Sequence, residues 1–132
     1  MAEKTTVLIV EDEAMAALML QKTLNLLGYQ VYDPVATGQD AVSSAEKENP
    51  DVILMDIRLP GDMDGIQAAQ EIISHRKTPI IFMTGYTDPE IKQRAKALNP
   101  VAYLTKPMHM NEVRSAIDLA VQNGKCVEGR AS

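Results

Sequence analysis

Aromatic residues are scarce in this chain, which has one Phe, four Tyr and no Trp among 132 residues. Its core therefore has to be built from aliphatic side chains, with help from eight Met. Hydrophobic residues still make up 45% of the sequence, which is too large a share for a disordered chain. The length corresponds to one domain, and a domain of that size can bury a substantial core. We therefore expect one folded domain with an aliphatic interior.

Cysteine, basic runs and long apolar stretches are also scarce. Cys126 is the only cysteine, so no internal disulfide can form and a reducing compartment suits the chain. The net charge of −5 and the lack of a Lys/Arg-rich run argue against direct nucleic-acid binding. No basic-then-apolar leader opens the sequence, and no apolar stretch approaches the roughly 20 residues of a membrane helix. We expect a soluble cytoplasmic protein without membrane contact.

Strand-like and helix-like segments alternate five times along the chain. The predicted strands are short apolar runs at residues 5–10, 30–35, 51–55, 79–83 and 101–105. Amphipathic segments follow them, at residues 13–27, 37–48, 65–76, 89–98 and 110–123. The first, third and fourth strands are continuously apolar, which is typical of central parallel strands covered on both faces. The pattern predicts an α/β three-layer sandwich with right-handed crossovers.

Capping residues mark several of the predicted helix ends. Gly28 should end the first helix, and Thr37 should open the second with Asp40 three residues later. Asn99 is a plausible left-handed residue after the fourth helix. Gly124 should end the fifth helix. The domain then covers residues 1–124, and residues 125–132 form a flexible C-terminal tail or the start of a linker.

Polar residues stand directly after four of the predicted strands. In an open parallel sheet, binding sites form at the carboxyl ends of the strands, near the point where the strand order reverses. These residues should therefore meet at one edge of the sheet: Glu11 and Asp12, Asp56, Thr84 and Lys106. Any one of them alone is best explained as an ordinary loop-end polar residue. Five at matching strand ends favour a site.

Three carboxylates at one edge repel one another, at a cost of roughly 4 kcal/mol for two charges about 4 Å apart at an effective dielectric near 20. Such a site has to gain a proton, a cation or both. Carboxylate oxygens favour a hard ion, and a shell completed by water and phosphate suits Mg²⁺. An Asp in this setting can act as a nucleophile and form an aspartyl phosphate. A neighbouring Lys and hydroxyl can bind the phosphoryl oxygens.

Four segments give the chain a family resemblance over about residues 5–123: LIVEDE, ILMDIRLPGDMDG, IIFMTGY and YLTKP. In this order and spacing the chain resembles the receiver domains of bacterial two-component response regulators. The resemblance implies a flavodoxin-like fold, with a five-stranded parallel sheet in the order 2-1-3-4-5 and five helices. It also implies a phosphoacceptor receiver in His-to-Asp signal transduction.

The resemblance assigns the acidic residues. Asp56 corresponds to the phosphoacceptor. Glu11 and Asp12 correspond to the acidic pair that binds Mg²⁺ together with Asp56, one of them through water. The backbone carbonyl of Arg58 is implied as a further metal ligand.

The resemblance also assigns the residues around the phosphoryl group. Thr84 and Lys106 are implied to bind that group, and the Lys106–Pro107 peptide bond is implied to be cis. Tyr103 matches the switch aromatic, which turns inward when Thr84 moves toward the phosphoryl group. The face made by the fourth helix, fifth strand and fifth helix is then the readout surface.

Arg58 and Tyr86 occupy two positions that tune the lifetime of the phosphoryl group in the family. Both are bulky and could obstruct an attacking water, which predicts slow autodephosphorylation. An equally good explanation is that both are simply exposed side chains. The chain is expected not to be an enzyme, although it catalyses its own phosphorylation from a phosphohistidine donor.

The expected partners are a sensor histidine kinase or a histidine phosphotransfer protein. The downstream partner or output domain, and whether the chain stands alone, are not predicted by the sequence. A monomer is expected, with a dimer possible on phosphorylation.

Three other functions are alternatives to the receiver. A haloacid-dehalogenase-type hydrolase needs a second Asp two residues after the nucleophile, where this chain has Arg58. A flavodoxin needs a phosphate-binding loop after the first strand, where Glu11 and Asp12 would repel the phosphate. A pseudo-receiver acting only as a binding module is the remaining alternative, although Asp56 and Lys106 are both present.

Overall fold

The computed structural model describes residues 4–85 and 88–131, with side chains described as far as residue 122. Its five strands are β1 (Thr6–Val10), β2 (Gln30–Val31), β3 (Val52–Asp56), β4 (Ile80–Thr84) and β5 (Ala102–Thr105). Its helices are α1 (Ala14–Leu26), α2 (Gly38–Glu48), α3 (Gly65–His75), α4 (Pro89–Lys96) and α5 (Met110–Ala131). The strands form one parallel sheet in the order β2-β1-β3-β4-β5. The flavodoxin-like prediction is confirmed.

The central strands are continuously apolar because both of their faces are covered. Successive side chains point to opposite faces of a strand, so Ile53 and Met55 of β3 enter one core cluster, with residues of α2, α3 and α4. Val52 and Leu54 enter the other, with residues of α1 and α5. The sheet is thus the middle layer of a three-layer sandwich, as predicted.

Local capping chemistry sets the helix ends. The side chain of Thr37 accepts a hydrogen bond from the Asp40 amide at 3.1 Å, as the sequence predicted. Asn49 and Asn99 have φ values of 52° and 53°, in the left-handed region that Asn tolerates. Asp64 and Gln67 form a reciprocal capping box at the start of α3.

The second strand is shorter than predicted. Regular pairing with β1 stops at Val31, and a single bridge between Val10 and Val35 resumes it. Pro34 lies between these pairings and has no amide hydrogen to donate to a ladder. The predicted strand over residues 30–35 is therefore interrupted at an edge of the sheet.

The predicted end of the fifth helix at Gly124 was wrong, since α5 continues to Ala131. A glycine inside a helix costs only about 1 kcal/mol relative to alanine, and no proline follows it. Whether residues 125–132 serve as a tail or a linker stays a prediction. Among the described residues, no helix combines the length and the apolar character needed to cross a membrane.

Candidate functional site

The carboxyl ends of β1 and β3 bring the acidic residues together. These strands are neighbours, with Val10 opposite Met55, so the next residues, Glu11 and Asp56, lie side by side. Glu11 and Asp56 are 6% and 5% exposed, whereas Asp12 is exposed. One carboxylate oxygen from each of the three residues lies within 4.8 Å of the others. The predicted acidic cluster therefore exists.

Lys106 reaches this cluster from the end of β5. Its Nζ donates to Glu11 Oε1 at 2.7 Å and to Asp56 Oδ2 at 3.0 Å. Its backbone amide donates to the Thr84 carbonyl at 2.7 Å, and the Lys106–Pro107 bond is cis. Because β4 separates β5 from β3, the long Lys side chain has to pass the end of β4 to reach both carboxylates.

The balance of burial and charge differs among these groups. Burial raises the pKa of Asp56 to about 6; the hydrogen bond from Lys106 opposes this shift, and the nearby charge of Glu11 adds to it. Burial also acts to raise the pKa of Glu11, but hydrogen bonds from Lys106 and the Glu13 amide outweigh it, so that pKa lies below its usual value. For Lys106, burial acts to lower the pKa, but the hydrogen bonds and charges of Glu11 and Asp56 outweigh it, so the pKa lies above its usual value. Of the two buried carboxylates, Asp56 therefore has the less stabilised negative charge.

The cluster fits a hard divalent cation. Its donors are all carboxylate oxygens, which suit Mg²⁺ better than a softer metal. The Arg58 amide donates to Asp56 Oδ1 at 3.3 Å, which places the Arg58 backbone beside the same carboxylate. A cation held by Glu11, Asp12 and Asp56 would offset the burial cost of the Asp56 charge and its repulsion from Glu11, which together raise the Asp56 pKa.

Thr84 and Tyr103 lie on the two strands beyond β3. Thr84 ends β4, is 1% exposed and pairs with Thr105 of β5. Tyr103 is half-buried, and its ring packs against the α2–α3–α4 core cluster. Among the described residues its hydroxyl is buried without a hydrogen-bond partner, and Lys92 Nζ lies 5.9 Å from the ring centroid. Tyr86, the other predicted lifetime residue, lies outside the described residues.

Gly65 is a site residue that the sequence reasoning missed. Its amide donates to the Ile57 carbonyl at 2.7 Å, which holds the start of α3 against the end of β3. A Cβ atom at this position would overlap the backbone of Asp56 and Ile57. The D-x-x-Q spacing of Asp64 and Gln67 marks a helix start at Gly65, but nothing in that spacing shows that the position has to be glycine.

Fold and site together define a doubly wound α/β domain whose sheet carries an acidic, lysine-bridged cluster at its carboxyl edge. Residues 7–118 match the family model of the response regulator receiver domain. The chain belongs to that family, and is therefore a receiver domain of the two-component response regulators.

Curated relatives agree with this assignment. The chain is 40% identical over 115 residues to the transcriptional regulatory protein PdtaR of Mycobacterium tuberculosis, covering 87% of this chain and 56% of that protein. It is 32% identical over 112 residues to the sporulation initiation phosphotransferase F of Bacillus subtilis, covering 84% and 89%. The chain thus spans just over half the length of the mycobacterial relative.

Solved structures agree as well. The signal receiver domain of a modulated diguanylate cyclase from Desulfovibrio desulfuricans G20 has a TM-score of 0.88 and 39% identity, covering 94% of this chain and 98% of that one. The receiver domain of a sensor histidine kinase from Pseudomonas aeruginosa PAO1 has a TM-score of 0.81 and 32% identity, covering 91% and 99%. The latter structure has a magnesium ion coordinated in its active-site cleft.

Proposed function

We propose that this chain is a phosphoacceptor receiver in which Asp56 is phosphorylated in a Mg²⁺-dependent reaction. The observation that carries the proposal is the position of Lys106 Nζ, 3.0 Å from Asp56 Oδ2 and 2.7 Å from Glu11 Oε1. At this point the Lys106 ammonium offsets the negative charge of Glu11 and Asp56 and is placed to hold phosphoryl oxygens. A buried carboxylate with such a neighbour is suited to nucleophilic phosphoryl transfer.

In the proposed reaction, an ionised Asp56 oxygen attacks the phosphorus of a phosphohistidine. The phosphorus–nitrogen bond breaks, its electron pair returns to the imidazole, and an acyl phosphate forms on Asp56. Lys106 pairs with the phosphoryl oxygens, and the Thr84 hydroxyl donates to one of them. Mg²⁺ held by Glu11, Asp12 and Asp56, with the Arg58 backbone carbonyl as a further ligand, supplies electrostatic stabilisation of these oxygens when bound.

The proposed partners are a sensor histidine kinase or histidine phosphotransfer protein, with a downstream partner on the α4–β5–α5 face. Thr84 would move toward the phosphoryl group and Tyr103 would shift with it. The hydroxyl of Tyr103 supports this, because it is buried without a partner among the described residues, and a shift that gives it one recovers the cost of the missing hydrogen bond. Bulky residues at the two lifetime-tuning positions, Arg58 and Tyr86, would slow autodephosphorylation.

The test is incubation with acetyl phosphate and Mg²⁺, followed by intact mass spectrometry. Wild type should gain one phosphoryl group with Mg²⁺ and none when EDTA replaces Mg²⁺ in the reaction. Asp56→Asn should gain none. Asp62→Asn, the same change at an exposed position of the β3–α3 loop, should be phosphorylated as wild type is. Phosphorylation of Asp56→Asn to the wild-type extent would refute Asp56 as the acceptor.

A second readout separates the receiver from a binding module that is never phosphorylated. Beryllofluoride with Mg²⁺ should shift the amide resonances of Thr84, Tyr103 and Lys106 in wild type, and these shifts should vanish in Asp56→Ala. If no magnesium-dependent shift occurs in wild type, the pseudo-receiver alternative takes over.

A further inference from the structure

Most of the methionines whose side chains the structure describes belong to the interior. Met55 and Met83 are 0% and 1% exposed, and each lies in one of the two core clusters. Met63, Met108 and Met110 are half-buried and pack against those clusters. A reagent in solution therefore has restricted access to all five side chains.

Met15 and Met19 of α1 differ from these five. They are 67% and 65% exposed. Among the methionines whose side chains are described, they are the two that pack against neither core cluster. Because residues four positions apart are neighbours on a helix surface, the two side chains lie side by side. One place on α1 thus presents two thioether side chains to solvent.

The surroundings of this pair are largely apolar. Leu18 is 44% exposed, and it lies three positions from Met15 on the same face. Leu26 is 88% exposed, and at eleven positions from Met15 it lies only about 20° away around the helix axis. We call Met15, Leu18, Met19 and Leu26 the α1 stripe; Lys22 is exposed between its members.

A thioether reacts with a peroxide without first losing a proton. The sulfur lone pair attacks one oxygen of hydrogen peroxide, the oxygen–oxygen bond breaks, and the other oxygen leaves as water after a proton transfer. The sulfur is oxidised by two electrons and the peroxide is reduced by two. The product, methionine sulfoxide, is polar, and sulfoxide reductases convert it back to methionine at the expense of a thiol.

We propose that Met15 and Met19 form a reversible oxidation site for peroxides, at which the α1 stripe changes from apolar to polar while the fold is retained. The fold is retained because neither side chain belongs to a core cluster, whereas oxidation of Met55 or Met83 would place a polar group in the core. The modification does not depend on phosphorylation of Asp56, so it stands or falls separately from the proposed function.

The test is treatment of the metal-free full chain with limiting hydrogen peroxide, followed by peptide mass spectrometry. Cys126 is alkylated beforehand, since a thiol also reacts with peroxide. Met15 and Met19 are expected to gain oxygen at least about tenfold faster than Met55 and Met83, in line with their exposure. In denaturing urea this difference should disappear, because the fold then no longer shields the core methionines.

A second measurement follows the polarity of the surface. Peroxide treatment should shorten the retention of wild type on a hydrophobic-interaction column, and sulfoxide reductases acting on both sulfoxide epimers, with dithiothreitol, should restore it. The double variant Met15→Leu/Met19→Leu should keep its retention under the same treatment. Met63→Leu is the matched control: it removes a half-buried methionine and should respond to peroxide as wild type does.

Three results would overturn the proposal. Equal oxidation rates of Met15, Met19 and Met83 in the folded protein would mean that the exposed pair is not a preferred site. Loss of the circular dichroism signal when Met15 and Met19 alone are oxidised would show that the fold depends on them. Sulfoxides that the reductases leave intact would remove the reversibility.

Discussion

Asp56 is a buried carboxylate beside a second carboxylate, an arrangement that lowers the stability of a fold. It is 5% exposed and lies beside Glu11, and both burial and that charge hold its pKa above the ordinary value, at about 6. Lys106 lowers that pKa but does not restore its usual value. In the metal-free protein, Asp56 therefore reduces stability at neutral pH.

Asp56→Asn is expected to stabilise the metal-free protein at pH 7 by about 3 kcal/mol. The pKa is higher in the folded chain, about 6, than the usual 3.8, so the unfolded chain ionises first and stability falls as the pH rises from about 4 to about 6. The gain in the variant should be complete above this window and absent below it. Urea unfolding in EDTA at pH 3.5 and pH 7 measures it, with Asp62→Asn as control. A gain of equal size at both pH values would contradict this explanation.

Lys106→Met is expected to raise the pKa of Asp56 further, because the hydrogen bond and charge of Lys106 both lower it. The titration of the Asp56 carboxyl carbon by NMR, again without metal, gives this pKa directly. Lys77→Met removes the same charge at an exposed position after α3 and should leave it unchanged. A lower Asp56 pKa in Lys106→Met would show that Lys106 does not stabilise the carboxylate.

At the scale of elements, α1 has an apolar residue on nearly every side. Leu20, Leu24 and Leu27 share the i, i+4, i+7 spacing of one helix face. Leu24 is fully buried and Leu20 half-buried, whereas Leu27 is 39% exposed. Met15 and Met19 are 67% and 65% exposed. Periodicity locates the buried face of α1 at Leu24. It does not show that the apolar residues Met15 and Met19 are exposed.

This asymmetry gives a paired prediction for α1. Leu24→Ala should cost about 2–5 kcal/mol of unfolding free energy, because it leaves a cavity in the core. Met19→Ala should change it by less than about 0.5 kcal/mol, because the side chain is mostly exposed already. Denaturant unfolding of both variants checks this. Similar costs for the two would mean that the outer face of α1 is covered in solution.

The junction of β3 and α3 depends on Gly65. Gly65→Ala would push a methyl group into the Asp56 backbone, and the expected cost is about 1–3 kcal/mol, together with weaker Mg²⁺ binding because Asp56 is displaced. Gly85→Ala is the control, since a Cβ atom there meets nothing within 4 Å. Thermal unfolding and Mg²⁺ titration test both variants. Equal stability of Gly65→Ala and wild type would show that the junction relaxes freely.

For the whole molecule, Mg²⁺ should act as a stabilising ligand of the folded state alone. At a free concentration ten times its dissociation constant it is expected to add about 1.4 kcal/mol to the unfolding free energy, and EDTA should reverse this. Asp12→Asn should lose most of the effect, because Asp12 is exposed at the cluster and contributes a carboxylate oxygen. Asp62→Asn should keep it. Stabilisation that survives in Asp12→Asn would place the ion elsewhere.

The sequence alone determined the order of elements and the polar residues at the strand ends, because both depend on local periodicity and local capping. The predicted bounds were wrong at two elements. Pro34 interrupts the second strand although the run looks continuous, and Gly124 does not end the last helix although glycine often does. Local rules also did not reveal the need for a glycine at position 65, which is set by the backbone of another element.

Only the tertiary structure decided which of these residues meet and what their surroundings do to them. Glu11 and Lys106 are 95 positions apart, yet they lie 2.7 Å apart because the strand order folds both strand ends onto one edge. The raised pKa of Asp56 follows from its burial, and the nearby charge of Glu11 adds to the increase. Burial and long-range contacts arise from packing of whole elements, and no short stretch of sequence contains them.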